Sequence, residues 1–212
     1  MVEENVLLFI PNLIGYARIA LAVLSCMFMR TCPGTAFFCY LTSALLDAVD
    51  GHAARHFNQS TKFGAMLDQL TDRCGTACLM MCLAAFYPSY AFFFQMSLVV
   101  DIGMHWIHLH TSLLQGQTSH KFIPENDPYL LRLYYTNKTV LFSMCSGNEI
   151  FYMTMYLLHF YDSYLLIFIA VLSFPIAVAK WLMAILQGTT AAKNLAGIDA
   201  AERQAAQGAK TD

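Results

Sequence analysis

The chain has 212 residues, of which 58% are hydrophobic and only 12% are charged, and its formal net charge is −2. Soluble domains typically carry about 25% charged residues, so this composition excludes an ordinary water-soluble domain and predicts a polytopic membrane protein. The weakly acidic balance gives no indication of nucleic-acid binding. The start of the chain, MVEEN, is acidic where a secretory signal peptide would be basic.

Apolar runs long enough to cross a bilayer occur six times along the chain. Turn-forming or polar residues separate the runs, and the longest separation extends from Gln115 to Asn137. We therefore predict an all-α fold with six transmembrane helices in one bundle, in a membrane domain of residues 1–188. Residues 189–212 are predicted to form a helical cytosolic tail that is too polar to span. The six runs fall near residues 9–29, 35–56, 64–87, 90–113, 138–160 and 164–187.

The basic residues outside these runs predict the orientation of the chain in the membrane. Cytosolic connections carry an excess of lysine and arginine. With six spans, one side of the membrane receives only Arg30, and the other receives Arg55, Lys62, Lys121, Arg132, Lys138, Lys193, Arg203 and Lys210. Both termini should therefore face the cytosol. The basic residues between the fourth and fifth runs could also attract an anionic substrate.

Four aspartates and two glycines follow a fixed spacing where the second predicted helix leads into the third. The pattern is Asp47-x2-Asp50-Gly51-x2-Ala54-Arg55-x8-Gly64-x3-Asp68-x3-Asp72. An acidic residue at bilayer depth costs roughly 2.5–3.5 kcal/mol, and clustered acids repel one another. A positive charge should therefore lie among them, and a divalent metal ion is the simplest candidate. Oxygen-only ligation favours Mg²⁺ or Mn²⁺.

The spacing also predicts how the two helices meet. Residues three or four apart share a helix face, so each helix presents one pair of carboxylates. The helices should pack antiparallel, with Gly64 removing a side chain where they approach and Gly51 exposing backbone to a ligand. Carboxylates that hold hard metals beside Arg55 suit phosphoryl transfer. A cation pathway or proton relay is the alternative, although neither requires Gly-x2-Ala-Arg at fixed spacing.

This segment resembles the signature of the CDP-alcohol phosphatidyltransferase family. Its members are integral membrane enzymes with six helices that usually dimerise, and they displace CMP from a CDP-linked substrate with an alcohol. Four other segments resemble the branch of the family that uses inositol: IPNLIGYARIA, FGAMLDQLTDRC, HWIHLHTS and GNEIFY. The similarity covers most of the chain and fades in the tail and in the connections on the non-cytosolic side.

The resemblance implies a site and a reaction. Asp72 would be the base that takes the proton from the attacking hydroxyl. The substrates would be CDP-diacylglycerol and myo-inositol, in a homodimer of the endoplasmic reticulum membrane. Mg²⁺ or Mn²⁺ would occupy a two-metal site formed by Asp47, Asp50, Asp68 and Asp72, and the CDP-diacylglycerol head group would contact Gly51, Arg55 and Thr61.

Other functions remain open at this point. The signature handles the CDP part that all family members share, so it does not separate inositol from glycerol phosphate, serine, choline or a phospholipid as the acceptor. A cation transporter and a non-catalytic membrane scaffold are further alternatives.

Several polar residues outside the signature have two interpretations. Asp101, His105 and His108 share one face of the fourth predicted helix. They could help bind inositol, or they could form a network that satisfies itself. In the first helix, Asn12 and Arg18 could reach the nucleotide, although Arg18 could equally pair with an acid inside the bundle.

The remaining candidates favour structural interpretations. His52 lies beside the acidic pattern and is expected to line the pocket or the interface rather than to act as a phosphorylated nucleophile. Cys74, Cys78 and Cys82 lie in a line along one helix, whereas zinc requires ligands that converge from several directions. These cysteines are therefore expected to be packing residues. Glu149 in the fifth predicted helix has no clear assignment.

Overall fold

The computed structural model describes residues 5–115 and 128–208, and within these ranges the fold is all-helical. Short 3₁₀ turns at Val6–Leu8 and Pro88–Tyr90 precede two of the helices. Lys121 and Lys210, which contributed to the predicted orientation, lie outside the described residues. The helices are α1 (Ile10–Phe28), α2 (Pro33–His56), α3 (Lys62–Phe86), α4 (Ala91–Leu114), α5 (Tyr129–Thr136), α6 (Lys138–Leu158) and α7 (Tyr164–Gly208).

The six long helices coincide with the six predicted apolar runs to within a few residues, except that α7 continues well beyond the end of the last run. The eight-residue helix α5 is an addition, because it lies in a stretch that the composition predicted to be a polar connection. Helix α7 passes from the last apolar run into the polar tail without interruption, so residues 189–208 are helical, as predicted.

Within the described residues, three segments are both long and apolar enough to cross a membrane, namely Ile10–Phe28, Pro88–Leu114 and Tyr164–Gly208. These segments mark the chain as a membrane protein. Helices α2 and α3 each carry two of the clustered aspartates, which lowers their mean hydropathy relative to the other long helices.

Local sequence signals account for the helix boundaries. Pro11 and Pro33 occupy the first turn of α1 and α2, where a missing N–H costs nothing. After α2, the chain turns at Asn58, whose φ of 53° is in the left-handed region that asparagine tolerates. Thr61 then caps α3 by accepting a hydrogen bond from the Gly64 N–H at 3.0 Å.

The described chain divides into two compact units. The first contains residues up to 95 together with 152–170, and the second contains residues 96–151 and 171 onwards. In the first unit, α1 packs mainly on α2 and also contacts α3, while direct contact between α2 and α3 is slight. The predicted packing of α2 against α3 is therefore wrong in extent, because each of these helices makes more contact with α1 than with the other, and their antiparallel direction stays a prediction.

Aromatic residues join α3, α6 and α1 at the end of the first unit farther from the aspartates. The Phe86 ring stacks on His159 with centroids 3.8 Å apart. The Tyr87 hydroxyl donates to the carbonyl of Met155 at 2.9 Å, and the Tyr156 hydroxyl donates to that of Met29 at 3.0 Å. Phe86 follows the last aspartate by four turns of α3, which is about 21 Å along the helix.

The second unit is organised by close approach of α4 and α7. A Cβ added at Gly188 would lie only 2.1 Å from the Met104 Sδ, so this position in α7 excludes a side chain. Nearby, the Thr111 hydroxyl donates to the Ala191 carbonyl at 3.3 Å. Buried alanines recur every seven residues along this part of α7, a spacing typical of closely packed helices: they are Ala177, Ala184 and Ala191.

Candidate active site

The four aspartates of the spaced pattern lie on two helices of the first unit. Asp47 and Asp50 are three residues apart on α2, and Asp68 and Asp72 are four residues apart on α3. Each pair therefore shares one helix face, as the spacing predicted. Asp50 is the most enclosed of the four, with a side chain that is 10% exposed, whereas the other three are between 36% and 43% exposed.

Arg18 from α1 joins the two pairs. Its Nη1 lies 2.6 Å from the Asp50 Oδ2 and 2.7 Å from the Asp68 Oδ1. Its Nη2 lies 2.7 Å from the Asp47 Oδ1 and 2.5 Å from the Asp72 Oδ1. The Arg18 side chain is only 2% exposed. The protein thus supplies a positive charge among the carboxylates, which confirms the interpretation that pairs Arg18 with acids inside the bundle, and the divalent metal ion stays a prediction.

The surroundings of Arg18 explain how α1 brings it into the cluster. One turn earlier, a Cβ at Gly15 would lie 2.9 Å from the Leu67 Cδ2, so glycine lets α1 approach α3 closely. On the other side, the Ser43 hydroxyl donates to the Arg18 carbonyl at 3.1 Å and ties α1 to α2. The guanidinium is therefore held from both helices that carry the aspartates.

The donor set fits a hard divalent cation. Asp47, Asp50 and Asp68 each offer one carboxylate oxygen, and these three oxygens all lie within 4.8 Å of one another. Oxygens bound to one Mg²⁺ at about 2.1 Å are separated by at most about 4.2 Å, so a small closure would bring them onto one ion. The buried Arg18 Nε has no hydrogen-bond partner among the described residues. Three aspartates of this site could therefore hold a metal ion.

Gly64 and Thr61 have structural roles at the start of α3. A Cβ at Gly64 would lie 2.9 Å from the Asn12 Oδ1 and 3.1 Å from the Thr61 Oγ1. Gly64 therefore makes room for the buried Asn12 of α1 and for the Thr61 cap, rather than for α2 as predicted. Asn12 in turn donates from Nδ2 to the Val6 carbonyl at 2.6 Å, which fixes the chain before α1.

Gly51 and Arg55 lie on α2 beyond the aspartates. The Arg55 Nη1 lies 3.6 Å from the position that a Gly51 Cβ would take, so the guanidinium rests beside this glycine. Arg55 is exposed, and its charge is accessible to an anion from outside the protein. His52 is also exposed, and its ring is parallel to that of His56 with centroids 6.2 Å apart.

Comparison with known proteins identifies the family. A model of the CDP-alcohol phosphatidyltransferase family matches residues 8–190. The chain belongs to this family. CDP-alcohol phosphatidyltransferases are metal-dependent, which agrees with a cluster of aspartates able to hold a metal ion.

Several relatives that all carry the same name resemble the chain over nearly its whole length. It is 50% identical over 209 residues to the human CDP-diacylglycerol–inositol 3-phosphatidyltransferase, covering 96% of this chain and 98% of that protein. Identity to the Drosophila melanogaster protein of that name is 51%, covering 95% of this chain and 91% of the relative. Identity to the Saccharomyces cerevisiae protein of that name is 44%, covering 93% of this chain and 90% of the relative. No solved structure matches the chain.

The second unit of this CDP-alcohol phosphatidyltransferase contains the polar residues predicted on α4. The His105 Nδ1 lies 2.7 Å from the Asp101 carbonyl oxygen and 3.6 Å from the Asp101 Oδ1. His108 is buried, and its ring stacks on Tyr135 of α5 with centroids 5.8 Å apart. The contact between His105 and Asp101 lies within one helix turn, as expected for a network that satisfies itself. Inositol binding and such a network both stay open as interpretations of this face.

The cysteines form no disulfide within the described residues. Cys74 is exposed, and Cys78 and Cys82 are half-buried along α3. In the same part of the chain, the group able to hold a metal ion consists of aspartates, so the geometry gives no support to a zinc stripe.

Proposed function

We propose that this protein synthesises phosphatidylinositol by transferring the phosphatidyl group of CDP-diacylglycerol to myo-inositol, with release of CMP. The observation that carries the proposal is 44–51% identity, over more than nine-tenths of the chain, to CDP-diacylglycerol–inositol 3-phosphatidyltransferases from animals and yeast. The identity extends far beyond the shared CDP signature. It therefore supports inositol as the acceptor over glycerol phosphate, serine or choline.

The reaction proposed is a single displacement at the phosphorus that bears diacylglycerol. A hydroxyl oxygen of inositol forms the new bond to this phosphorus, and the bond to the bridging diphosphate oxygen breaks. CMP leaves with the electron pair, and the hydroxyl proton passes to Asp72. The exposure of the Asp72 side chain, 36%, supports its proposed access to a substrate hydroxyl. A carboxylate suffices as the base if proton removal lags behind bond formation.

The four aspartates are proposed as the holders of a two-metal site for Mg²⁺ or Mn²⁺. When bound, such ions supply positive charge that stabilises the attacking and leaving oxygens of an in-line displacement. Asp47, Asp50 and Asp68 already present oxygens within 4.8 Å of one another. Asp72 shares the Arg18 guanidinium with these three and is proposed to complete the set.

Arg55 is proposed to bind the diphosphate of CDP-diacylglycerol. A guanidinium can hold two phosphate oxygens at once, and Arg55 is exposed beside the small Gly51. Gly51 would let the nucleotide approach the backbone of α2. Thr61 is proposed to contact the same substrate while its side chain caps α3.

The polar face of α4, within the second unit, is proposed as a candidate surface for binding inositol. Asp101, His105 and His108 offer donors and acceptors on one face, and inositol presents six hydroxyls that need many partners. Replacing His108 by Phe would keep a ring that can stack on Tyr135 while removing the two ring nitrogens. We expect this change to raise the KM for inositol and to leave the KM for CDP-diacylglycerol unchanged.

The cellular setting completes the proposal. We propose that all six long helices cross the endoplasmic reticulum membrane, with both termini and the aspartates at the cytosolic side, and that the protein forms a homodimer. The excess of basic residues in the predicted cytosolic connections supports this orientation. Cysteine accessibility to impermeant reagents in sealed microsomes tests it, because a cysteine introduced in the tail should be labelled from the cytosolic side.

A turnover assay on the purified protein in detergent tests the acceptor. CDP-diacylglycerol and Mg²⁺ or Mn²⁺ are supplied together with myo-inositol, serine, glycerol phosphate or choline in separate reactions, and CMP is measured. We expect CMP release with inositol and little with the others. Release with another alcohol alone would assign a different acceptor, and ion flux across sealed vesicles that contain the protein, without CMP release, would indicate a transporter.

A further inference from the structure

We propose that Arg18 is a built-in counterion that competes with divalent metal for the aspartates, so that metal binds only as the guanidinium gives up some of its carboxylate contacts. This inference rests on the proposed metal site. It assigns to α1 a residue that tunes the metal affinity of that site.

The competition follows from shared carboxylates and shared space. Arg18 contacts each of the three aspartates that could hold one metal ion, at distances of 2.6–2.7 Å. Carboxylate oxygens at this distance from a guanidinium nitrogen direct their lone pairs at its hydrogens. An ion drawn to the same carboxylates would lie close to a group of like charge, and the two cations repel.

The geometry of the guanidinium also determines how the exchange can proceed. Nη1 bridges Asp50 and Asp68, and Nη2 bridges Asp47 and Asp72, so each nitrogen joins one residue of α2 to one of α3. An ion held by Asp47, Asp50 and Asp68 takes ligands from both bridges. In this proposal, metal binding therefore changes the carboxylate contacts of both guanidinium nitrogens and not of one alone.

Burial makes the counterion necessary for stability. The Arg18 side chain is 2% exposed, and four acids surround it in a membrane protein. Clustered carboxylates without a cation would be strongly destabilising there. Arg18 should therefore stabilise the fold most when little metal is bound, and bound metal should take over part of that role.

Two measurements on the purified full-length protein test the proposal. The first is Mn²⁺ affinity, obtained from the electron paramagnetic resonance signal of the free ion. The second is the melting temperature in EDTA and in saturating Mn²⁺. Arg18→Gln removes the charge, Arg18→Lys keeps it without the planar fork, and Arg30→Gln is the matched control because Arg30 is exposed and follows the far end of α1.

We expect Arg18→Gln to bind Mn²⁺ roughly 5- to 150-fold more tightly than the wild type, the range typical of coupled binding. Its melting temperature should fall clearly in EDTA and much less in saturating Mn²⁺. Arg18→Lys should change both quantities in the same direction but by less, and Arg30→Gln should leave both unchanged. If Arg18→Gln fails to fold, the Mn²⁺ affinity of Arg18→Lys still decides.

The contrary outcomes are distinct. Unchanged or weaker Mn²⁺ affinity in the folded Arg18 variants would overturn the competition, as would an equal loss of melting temperature with and without metal. If the wild type itself bound no Mn²⁺, the metal site of the proposed function would fail instead.

Discussion

Arg18 of α1 and Asp50 of α2 form the most enclosed of the four guanidinium–carboxylate contacts, with Nη1 and Oδ2 2.6 Å apart and side chains that are 2% and 10% exposed. Asp47 contacts the same guanidinium but is 43% exposed. Two residues of one motif, three positions apart, therefore lie in different environments. Their variants should differ in stability even though both are expected to be inactive.

The first prediction concerns this difference. In EDTA, Asp50→Asn should lose about 1.5–3 kcal/mol, because it removes a charged hydrogen bond from a buried pair. In a chain of this size that corresponds to about 2–4 °C per kcal/mol. The stability of Asp47→Asn in EDTA should not fall, since removing a half-buried acid relieves repulsion among the other three. Thermal unfolding of both variants in detergent checks this, and an equal loss would contradict it.

The second prediction concerns Arg55. Replacement by Lys keeps the charge but loses the fork that can hold two phosphate oxygens. The KM for CDP-diacylglycerol should rise while the KM for inositol changes little, as measured by steady-state kinetics with each substrate varied in turn. The reverse pattern would place Arg55 at the acceptor.

The third prediction concerns Gly188, where α7 meets α4. Gly188→Ala places a methyl group 2.1 Å from the Met104 Sδ and 2.7 Å from its Cβ, so it should cost about 1–3 kcal/mol through overpacking. Met104→Ala in the same chain should restore part of this loss. Gly197→Ala is the control, because nothing lies within 4 Å of an added Cβ there. It should stabilise the helix by about 0.5–1 kcal/mol. Melting temperatures of the three variants and the wild type provide the comparison, and no loss in Gly188→Ala would refute the close approach.

The sequence predicted the helices well because membrane spans have a strong signal. Runs of about 20 apolar residues predicted the start and end of every long helix to within a few residues, apart from the end of α7, which continues into the polar tail. Helix α5 was missed because its eight residues lie in a polar stretch and are too few for an apolar run.

Spacing also predicted which aspartates share a helix face, but not what lies between the faces. Periodicity reports the direction of side chains on one helix and carries no information on which third helix intervenes. Arg18 is separated from the acids by 29 or more positions, so its pairing remained one of two interpretations. An ionisable residue inside the first apolar run was the available signal. The role of Gly64 was assigned to the wrong neighbour for the same reason, since Asn12 comes from α1.

The fourth prediction concerns Asp72 as the base. Asp72→Asn should still bind CDP-diacylglycerol, because three aspartates that could hold metal remain, while turnover falls by roughly 10²–10⁴-fold. The mechanism itself is tested by stereochemistry. A single displacement inverts a chiral phosphorus, whereas transfer through a phosphorylated His52 would retain its configuration. Observed retention would contradict the direct mechanism.

The most direct test of the account is inositol-dependent formation of labelled phosphatidylinositol and CMP by the wild type and by Asp68→Asn, each with Mg²⁺ and with EDTA. Asp68 contacts Arg18 and belongs to the group of three aspartates that could hold metal. We predict equal amounts of both products from the wild type with Mg²⁺, none in EDTA, and almost none from Asp68→Asn, because an amide lacks the charge of the carboxylate. Ordinary turnover by Asp68→Asn with Mg²⁺, or by the wild type in EDTA, would contradict the assignment of this cluster as the catalytic centre.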